Sequence, residues 1–429
     1  MHDIRLVRDQ LDLLREGMRR RGKLAELGPL LDRAESLERD RRNAITELEA
    51  QQARRNKVTQ EVAQRRKAGE DATALIAEGR TIGDAIATLD ARRTETEAAV
   101  QQMLLELPNI TLPEVPAGGE DENTIVRTWG TPRSDGAGIK PHWEIGETLG
   151  VLDLPRGAKI SGSGFIVYRG AGARLVRSLM NMMLDIHTTE HGYEECWVPL
   201  VVNRASMTAT AQLPKFEEDM YGIRDQDLFL IPTAEVPVTN LYRDEILDAS
   251  DLPKGFCAFS ACFRQEAGAA GKDTRGLLRV HEFDKVELVR YATPETSLQE
   301  LETLTGHAEV ILQRLGLPYR VLLLAAGDTG FASAKTYDLE VYAPGVGKWL
   351  EVSSCSVFTD FQARRGNIRY RPAPGEKPRF VHTLNGSALA FSRIIASLLE
   401  HWQQPDGSVR IPEAATVPWS RRVAVSAPG

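Results

Sequence analysis

Apolar residues recur every three to four positions across 11–48 and again across 75–105, and the positions between them are mostly polar or charged. This spacing is typical of long amphipathic helices, each with one apolar face. The break between the two runs contains glycine and offers Asp71 or Thr73 as the N-cap of the second helix. We therefore predict that residues 1–107 form two long helices packed antiparallel, as a coiled-coil hairpin.

The pattern changes after this helical region. Residues 108–124 are rich in proline, glycine and acidic side chains, which predicts a linker. In residues 125–429, short apolar runs typical of strands cluster in pairs between amphipathic helical segments. A predicted helix over 174–191, for example, leads into a predicted strand over 193–202. Clustered strands favour a mainly antiparallel sheet flanked by helices, so we predict an α+β domain.

The segment 259–291 concentrates charge on two predicted strands. The first ends with Arg264 and Glu266, and the second begins at position 277 and alternates regularly. Side chains two residues apart share a face of a strand, and here that face carries Arg279, His281, Phe283, Lys285 and Glu287. Guanidinium groups bind phosphates and an aromatic ring stacks on a base, so this face suits an anionic, planar ligand. The alternative is an edge hairpin with a polar outer face.

Two other polar stretches lie at the starts of predicted helices. Thr233 and Glu235 follow a short strand, where they either contact a ligand or simply cap the helix that begins there. Asn385 and Ser387 precede a helix on which Arg393 lies off the apolar stripe, so that this side chain faces a ligand or water. The chain contains neither a P-loop nor a GxGxxG sequence, which excludes the commonest nucleotide-binding folds.

A carboxylate and nearby hydroxyls on one predicted strand suggest a cation site. Glu351 and Ser354 would together hold Mg²⁺ against the phosphates of a substrate. Strict alternation, however, places Glu351 beside Ser353, so either Ser353 is the partner or the strand twists or bulges there. The alternative is a polar sheet edge without a ligand.

Composition narrows the class of protein. The chain has 429 residues, a net charge of −7 and 42% hydrophobic residues, so any RNA contact requires a local basic patch. Its four cysteines show neither CxxC pairing nor zinc spacing, which indicates reduced thiols in a cytoplasmic protein. The charged N-terminus predicts no signal peptide, and no apolar run is long enough to cross a bilayer, so we expect no membrane partner.

A basic cluster lies next to the predicted helix reversal. It comprises Arg54, Arg55, Lys57, Arg65, Arg66 and Lys67, and within the span 54–67 the sequence has only Glu61 as an opposing charge. Such a cluster suits a phosphate backbone. The alternative is a solvated helix face.

These segments, taken in order, resemble a bacterial-type member of the seryl-tRNA synthetase family, within the class II aminoacyl-tRNA synthetases, over essentially the whole chain. The helix and the following strand that ends at Pro199 are similar to motif 1 of that class. FRQE with Arg279 and Phe283 is similar to motif 2, and Gly386 to Arg393 to motif 3. The segments QLPKF, IPTAEVPVTNL, SAKTYDLE, DFQARRGNIRYR and FVHTLNGS are similar to the serine-specific branch.

The resemblance implies a role for each matching residue. For ATP it implies contacts from Arg264, Gln265, Glu266, Arg279, Val280, Phe283, Glu351, Val352, Ser353, Ser354 and Arg393. Within this set it makes Arg264, Arg279 and Glu351 catalytic, and it assigns Mg²⁺ to Glu351 and Ser354. For serine it implies Thr233, Ala234, Glu235, Glu287, Asn385 and Ser387.

The implied reaction is the ATP-dependent joining of serine to tRNA(Ser) through a seryl-adenylate, in the cytoplasm, by a homodimer with no DNA partner. The arm would bind the long variable arm of the tRNA through Arg54, Arg55, Lys57, Arg65 and Arg66. The resemblance leaves open whether tRNA(Sec) is also charged. Two alternatives stay open as well: an arm-bearing paralogue that loads an adenylated amino acid onto a non-tRNA acceptor, and a non-catalytic tRNA-binding protein.

Overall fold

The computed structural model describes residues 1–133, 138–267 and 275–415, and the chain divides into two compact units, Met1–Ile110 and Thr111–Gly429. The first unit consists of four helices, α1 (Ile4–Asp9), α2 (Leu11–Arg20), α3 (Leu24–Ala68) and α4 (Thr73–Glu106). The predicted pair of long antiparallel helices is confirmed as α3 and α4. The first twenty residues differ from the prediction, because they form two short helices of their own. The chain turns after them at Gly22, whose φ of +69° lies in the region that favours glycine.

Apolar side chains from facing helices hold this unit together. Leu31 and Ala34 of α3 share a buried cluster with Val100, Met103 and Leu104 of α4. Both α1 and α2 contribute to the same cluster, which gives the base of the hairpin a small core of its own.

The reversal between the long helices is formed by a left-handed glycine and by hydrogen bonds from the chain to an aspartate side chain. Gly69 ends α3 in the left-handed conformation, with φ of +74°. The Asp71 carboxylate then accepts hydrogen bonds from the backbone N–H of Thr73 at 2.9 Å and from its hydroxyl at 2.6 Å. The N-cap residue of α4 is Ala72, so neither predicted candidate occupies that position, although Asp71 binds the first N–H of the helix from one residue earlier.

The second unit contains thirteen strands and eight α-helices among the described residues. The strands are β1 (Thr124–Trp129), β2 (Glu194–Glu195), β3 (Val201–Asn203), β4 (Leu228–Leu230), β5 (Ile246–Asp248), β6 (Lys254–Phe263), β7 (Glu282–Ala292), β8 (Tyr319–Leu323), β9 (Lys335–Ala343), β10 (Lys348–Val357), β11 (Arg369–Arg371), β12 (Arg379–Phe380) and β13 (His382–Ala390). The helices are α5 (His142–Thr148), α6 (Leu154–Ser161), α7 (Ala171–Thr189), α8 (Arg204–Ala209), α9 (Glu235–Thr239), α10 (Ser297–Arg314), α11 (Phe361–Gly366) and α12 (Phe391–His401).

Eight of these strands form one sheet in the order β1-β8-β9-β10-β13-β7-β6-β2. Every neighbouring pair is antiparallel except β2 with β6, so the predicted α+β architecture is confirmed. Buried residues of α7, α10 and α12 share the main hydrophobic core with the central strands. The strand predicted over 193–202 is present only as β2 and β3. Pro199 lies between them, and proline has no N–H to donate to a ladder.

A buried histidine–carboxylate pair fastens α12 to the rest of this unit. His142 and Glu400 are both fully buried, and the ring Nδ1 of His142 lies 2.7 Å from Glu400 Oε1. The other Glu400 oxygen accepts the backbone N–H groups of Gly345 at 2.8 Å and Val346 at 3.1 Å. The remaining ring nitrogen of His142 accepts the N–H of Leu277 at 3.0 Å. Glu400 thus satisfies several buried donors at once.

Replacing Glu400 with alanine is expected to lower the free energy of unfolding by about 3 kcal/mol, because buried donors lose their acceptor. Urea unfolding of the two proteins measures this difference. Glu190→Ala is the matched control: it removes an exposed carboxylate 2.7 Å from Arg314 and should change the free energy by less than about 1 kcal/mol. Equal stabilities of the Glu400 and Glu190 variants would contradict the assigned role of the buried pair.

Candidate active site

The charged ribbon predicted from the sequence is formed by β6 and β7, which pair from Lys254 with Tyr291 to Phe263 with Glu282. The second strand was predicted to begin at 277 but begins at Glu282. Residues 275–281 instead make hydrogen bonds outside this ladder. For example, the backbone N–H of Arg264 donates to the carbonyl of His281 at 2.9 Å. Residues 268–274 of the intervening segment lie outside the described residues.

Three guanidinium groups and one aromatic ring line the same cavity beside this ribbon. The guanidinium of Arg264 lies 5.2 Å from the centre of the Phe283 ring. Arg279 forms an ion pair with Glu266 at 2.6 Å. Arg393 donates to the carbonyl of Glu351 at 2.7 Å. All of these side chains, with Val280 and Val352, line one cavity. The strand β7 pairs with β13 on one side and β6 on the other, so the alternative of an edge hairpin is wrong.

A β-bulge decides which serine accompanies Glu351. The pairing of β10 with β9 shifts by one residue between Glu351 and Ser353. Because a bulge reverses the alternation of side chains, Ser354 lies on the same face as Glu351, opposite Asp338. Ser353 points inward, where its hydroxyl donates to the carbonyl of Ser387 at 2.5 Å. Of the two alternatives left by the sequence, the bulge is the one present.

This face of β10 opens onto a groove of about 590 Å³. Its lining combines cations with carboxylates, among them Arg279, Arg393, Asp338, Glu340 and Glu351. Asp338 is a residue that the sequence reasoning did not single out, although it lies within the quoted segment SAKTYDLE. One of its carboxylate oxygens is buried without a hydrogen-bond partner. Burial and the charge of Glu351 raise the pKa of Asp338 well above its ordinary value.

A second cavity of about 350 Å³ shares Glu351 and Ser354 with the groove and extends to the start of α9. Thr233 lines it and also accepts the N–H of Glu235, the first residue of α9, at 3.2 Å. The N-cap position of α9 is Ala234, so Thr233 faces the cavity and binds the helix from one residue before its cap. The buried Lys285 donates to the Thr233 hydroxyl at 2.8 Å and forms an ion pair with the buried Glu287.

Two carboxylates lie close together here, Glu235 in the wall of this second cavity and the buried Glu287 behind it. The amide nitrogen of Asn385 donates to Glu235 at 2.9 Å and to Glu287 at 3.1 Å, which ties both carboxylates to one side chain. Burial, with the charge of Glu287, raises the pKa of Glu235 to about 7. Gln362, which the sequence reasoning did not single out, donates to the second oxygen of Glu235 at 2.7 Å. It lies within the quoted segment DFQARRGNIRYR, on α11.

Three of the predicted contact residues have side chains directed elsewhere. The amide of Gln265 donates to the carbonyl of Met220 at 2.8 Å. Ala234 is fully buried in an apolar cluster with Val238 and Phe256. Ser353 is buried beneath the bulge. The other predicted contacts for ATP and serine line these cavities or, like Glu287, lie directly beneath them.

The predicted RNA-binding residues Arg54, Arg55, Lys57, Arg65 and Arg66 all lie exposed on α3. Glu61 was predicted as their opposing charge, but α4 contributes another. Glu78 pairs with Arg54 at 2.5 Å. Glu70, next to the reversal, lies 4.0 Å from Arg65. The cluster is therefore less isolated than predicted, although it remains on the solvent side of the helix pair.

Comparison with known proteins agrees with this geometry. The family model described as the tRNA synthetase class II core domain (G, H, P, S and T) matches residues 215–402, the region of the ribbon, the bulged strand and α12. The sheet and its cavities are thus those of a class II aminoacyl-tRNA synthetase. The model of the seryl-tRNA synthetase N-terminal domain matches residues 1–111.

Individual relatives cover nearly the whole chain. The serine–tRNA ligase of Gemmatimonas aurantiaca is 82% identical over 423 residues, which are 99% of this chain and 100% of that protein. The serine–tRNA ligase of Geobacillus kaustophilus is 54% identical over 96% of this chain and 97% of its own. The crystal structure of seryl-tRNA synthetase from Pyrococcus horikoshii complexed with ATP superposes with a TM-score of 0.93, at 39% identity over 97% of both chains. The chain belongs to the seryl-tRNA synthetase family.

Two further predictions concern the membrane and the cysteines. Within the described ranges 1–133, 138–267 and 275–415, no helix combines the length and apolar character that a bilayer span requires. All four cysteines are free thiols. Burial raises the pKa of Cys257 and of Cys355 to about 12, which makes both thiols poor nucleophiles.

Proposed function

We propose that this chain activates serine with ATP and transfers the resulting seryl group to tRNA. The observation that carries the proposal is the meeting of two unlike half-sites at Glu351 and Ser354. One half-site is rich in guanidinium groups and suits a triphosphate. The other contains two carboxylates bridged by an amide and suits a small ammonium compound. A reaction between an amino acid and ATP requires such neighbours.

In the triphosphate half-site, Arg264 contacts the α-phosphate and Arg279 the outer phosphates. The adenine lies between the ring of Phe283 and the guanidinium of Arg393, with Val280 at its edge. Two observations support this assignment: these side chains line the same cavity, and two of the guanidinium groups already bind carboxylates. Arg279 is paired with Glu266, and Arg393 with Glu351, so each guanidinium already lies beside a carboxylate. ATP would replace or join these anions.

The residues around Glu351 fit a bound Mg²⁺. The unpartnered oxygen of Asp338, the Ser354 hydroxyl and the Glu351 carboxylate share one face of the sheet. These three donors suit Mg²⁺, which binds through one or two carboxylates together with substrate phosphates and water. No larger cluster, of three or more His, Cys, Asp or Glu side chains arranged to hold a metal, is found among the described residues. When bound, the ion would neutralise phosphate charge; Glu351 and Ser354 would hold it.

In the serine half-site, Glu235 and Glu287 take the ammonium group, and Thr233, Asn385 and Ser387 supply hydrogen bonds to the rest of the amino acid. The pKa of Glu235, raised to about 7, supports this assignment. Two buried carboxylates that are close together repel each other, and an ammonium group placed between them relieves that repulsion. A pocket that hydrogen-bonds a substrate hydroxyl also rejects an amino acid that lacks one.

The chemistry then needs positioning and charge neutralisation rather than a covalent enzyme intermediate. A carboxylate oxygen of serine attacks the α-phosphorus of ATP, the bond to the bridging oxygen breaks, and pyrophosphate leaves. Arg264 stabilises the charge that develops on the α-phosphate. A ribose hydroxyl of the terminal adenosine of the tRNA then attacks the carbonyl carbon of seryl-adenylate, and AMP leaves.

For the tRNA, we place the long variable arm of tRNA(Ser) on the basic cluster of α3; tRNA(Sec) is a second candidate where its variable arm is also long. We place the enzyme in the cytoplasm as a homodimer. Exposed apolar residues in the segment similar to motif 1 support a dimer: Trp197 is 77% exposed, Leu200 40% and Val201 38%. Exposed apolar residues clustered in this way are typical of protein interfaces.

The proposal is tested by two assays on the full-length protein. Serine-dependent exchange of pyrophosphate into ATP should be followed by charging of total tRNA with serine. Exchange without charging would favour an adenylating paralogue with another acceptor. RNA binding without exchange would favour a non-catalytic binding protein.

A further inference from the structure

A buried amide contacts the serine half-site from behind without lining its cavity. Gln362 is only 1% exposed, and its amide nitrogen donates to Oε1 of Glu235 at 2.7 Å. The fully buried hydroxyl of Thr383 donates to the amide oxygen of Gln362 at 2.7 Å. Because the threonine takes the oxygen end, the nitrogen end of the amide faces the carboxylate.

Glu235 is thereby held at both oxygens. Gln362 binds one, and Asn385 binds the other at 2.9 Å. An ionised carboxylate only accepts hydrogen bonds, so two amide donors favour the charged form and fix its plane. Asn385 is shared with Glu287, whereas the strong bond of Gln362 goes to Glu235 alone; its second contact, to the Thr210 carbonyl, is longer at 3.4 Å.

We propose that Gln362 is a positioning residue for serine: its amide keeps the Glu235 carboxylate ionised and aimed at the ammonium group of the substrate. The proposal rests on the assignment of Glu235 to serine made above. Gln362 itself does not touch the substrate. Its effect passes through one hydrogen bond to one carboxylate, which makes it separable from the triphosphate half-site.

The charges around Glu235 define the direction of the effect. Burial and Glu287 on β7 raise its pKa, while the Gln362 hydrogen bond, Lys285 on β7 and Arg264 at the end of β6 lower it. The balance leaves this pKa at about 7. Removing the amide donor moves the pKa higher still, so Glu235 becomes protonated at neutral pH and attracts the ammonium group less.

The test compares Gln362→Met with the unmodified enzyme in serine-dependent exchange from about pH 6 to about pH 8. The unmodified enzyme should show a KM for serine that falls as pH rises through about 7, because the ionised form binds. In Gln362→Met the KM for serine should be about 10- to 100-fold higher at pH 7. The pH range over which this KM falls should shift to higher pH, and the KM for ATP should stay unchanged.

Two companion variants keep the result interpretable. Thr383→Val frees the amide to rotate and should raise the KM for serine in the same direction by a smaller factor. Gln313→Met is the matched control, because its amide donates to the Tyr319 hydroxyl at 2.9 Å, away from the cavities, and should leave both KM values unchanged.

The outcomes separate this proposal from the proposed function. Gln362→Met with an unshifted pH profile, or with equal losses for ATP and serine, would overturn the positioning role while the enzyme's activity stands. Absence of serine-dependent exchange in the unmodified enzyme would overturn the proposed function itself. Thermal unfolding of each variant shows whether a lost activity reflects a lost fold.

Discussion

Replacing Arg264 with alanine is expected to lower serine-dependent ATP–pyrophosphate exchange by at least ~100-fold, because a charge aimed at the α-phosphate is lost. The fold should survive, since within the described part of the chain the guanidinium makes one long backbone contact, 3.4 Å to the carbonyl of Pro232, and lies over the Phe283 ring. Exchange rates at saturating ATP and serine, together with urea unfolding, separate the two effects.

Arg264→Lys refines this test, because lysine keeps the charge but loses the planar fork that binds phosphate oxygens in pairs. It should retain part of the exchange activity. Arg314→Ala serves as the matched control: it removes an exposed guanidinium that is 2.7 Å from Glu190, and exchange should be unaffected. Near-normal exchange by Arg264→Ala would remove this residue from the mechanism.

Shortening the helical arm is expected to lower tRNA charging strongly and to leave exchange intact. Excision of residues 45–91, with Ala44 joined to Arg92 by a short Gly/Ser linker, removes the distal part of α3 and α4. The apolar cluster at the base of the arm consists of residues on either side of the excision and remains complete. Charging should fall by about 100-fold or more, because the phosphate contacts of the arm are lost.

A full-length variant tests whether charge at the tip is responsible. Alanine at Arg54, Arg55, Lys57, Arg65 and Arg66 should weaken tRNA binding and make it less dependent on salt. Alanine at Arg33 and Arg39, exposed residues of the same helix nearer its base, is the matched control and should have little effect. Undiminished charging after the excision would show that the arm does not bind the tRNA.

Periodicity predicted the architecture well where one physical signal dominated. The long helices follow from a regular apolar stripe, and the antiparallel sheet follows from clustered short strands. The same reasoning placed the start of the second ribbon strand at 277 instead of Glu282, because alternation of side chains continues into the segment before the ladder begins. A strand is defined by backbone hydrogen bonds, and the alternation of apolar and polar residues does not show where those bonds begin.

The candidate site was predicted in its outline but not in its supporting contacts. Arginine and aromatic residues on alternating positions indicated a phosphate-binding and base-binding face. Gln362 and Asp338 carried no such indication, since each meets its partners on another element of the fold. Gln362 meets a carboxylate 127 residues away. Partnerships of this kind depend on the folded sheet and cannot be derived from spacing along the chain.

The irregular pairing of β10 with β9 has a consequence for how the chain tolerates insertion and deletion. Val352 is the extra residue, because Glu351 pairs with Glu340 and Ser353 with Leu339, which leaves Val352 without a partner of its own in the ladder. Loss of Val352 alone would give an unbroken ladder and would keep Glu351 and Ser354 on the same face of the sheet. Loss of a paired residue beside it would shift the register by one and exchange the outward and inward side chains beyond that point. We therefore expect the outward face to survive a deletion at the bulge and not a deletion at the paired positions next to it.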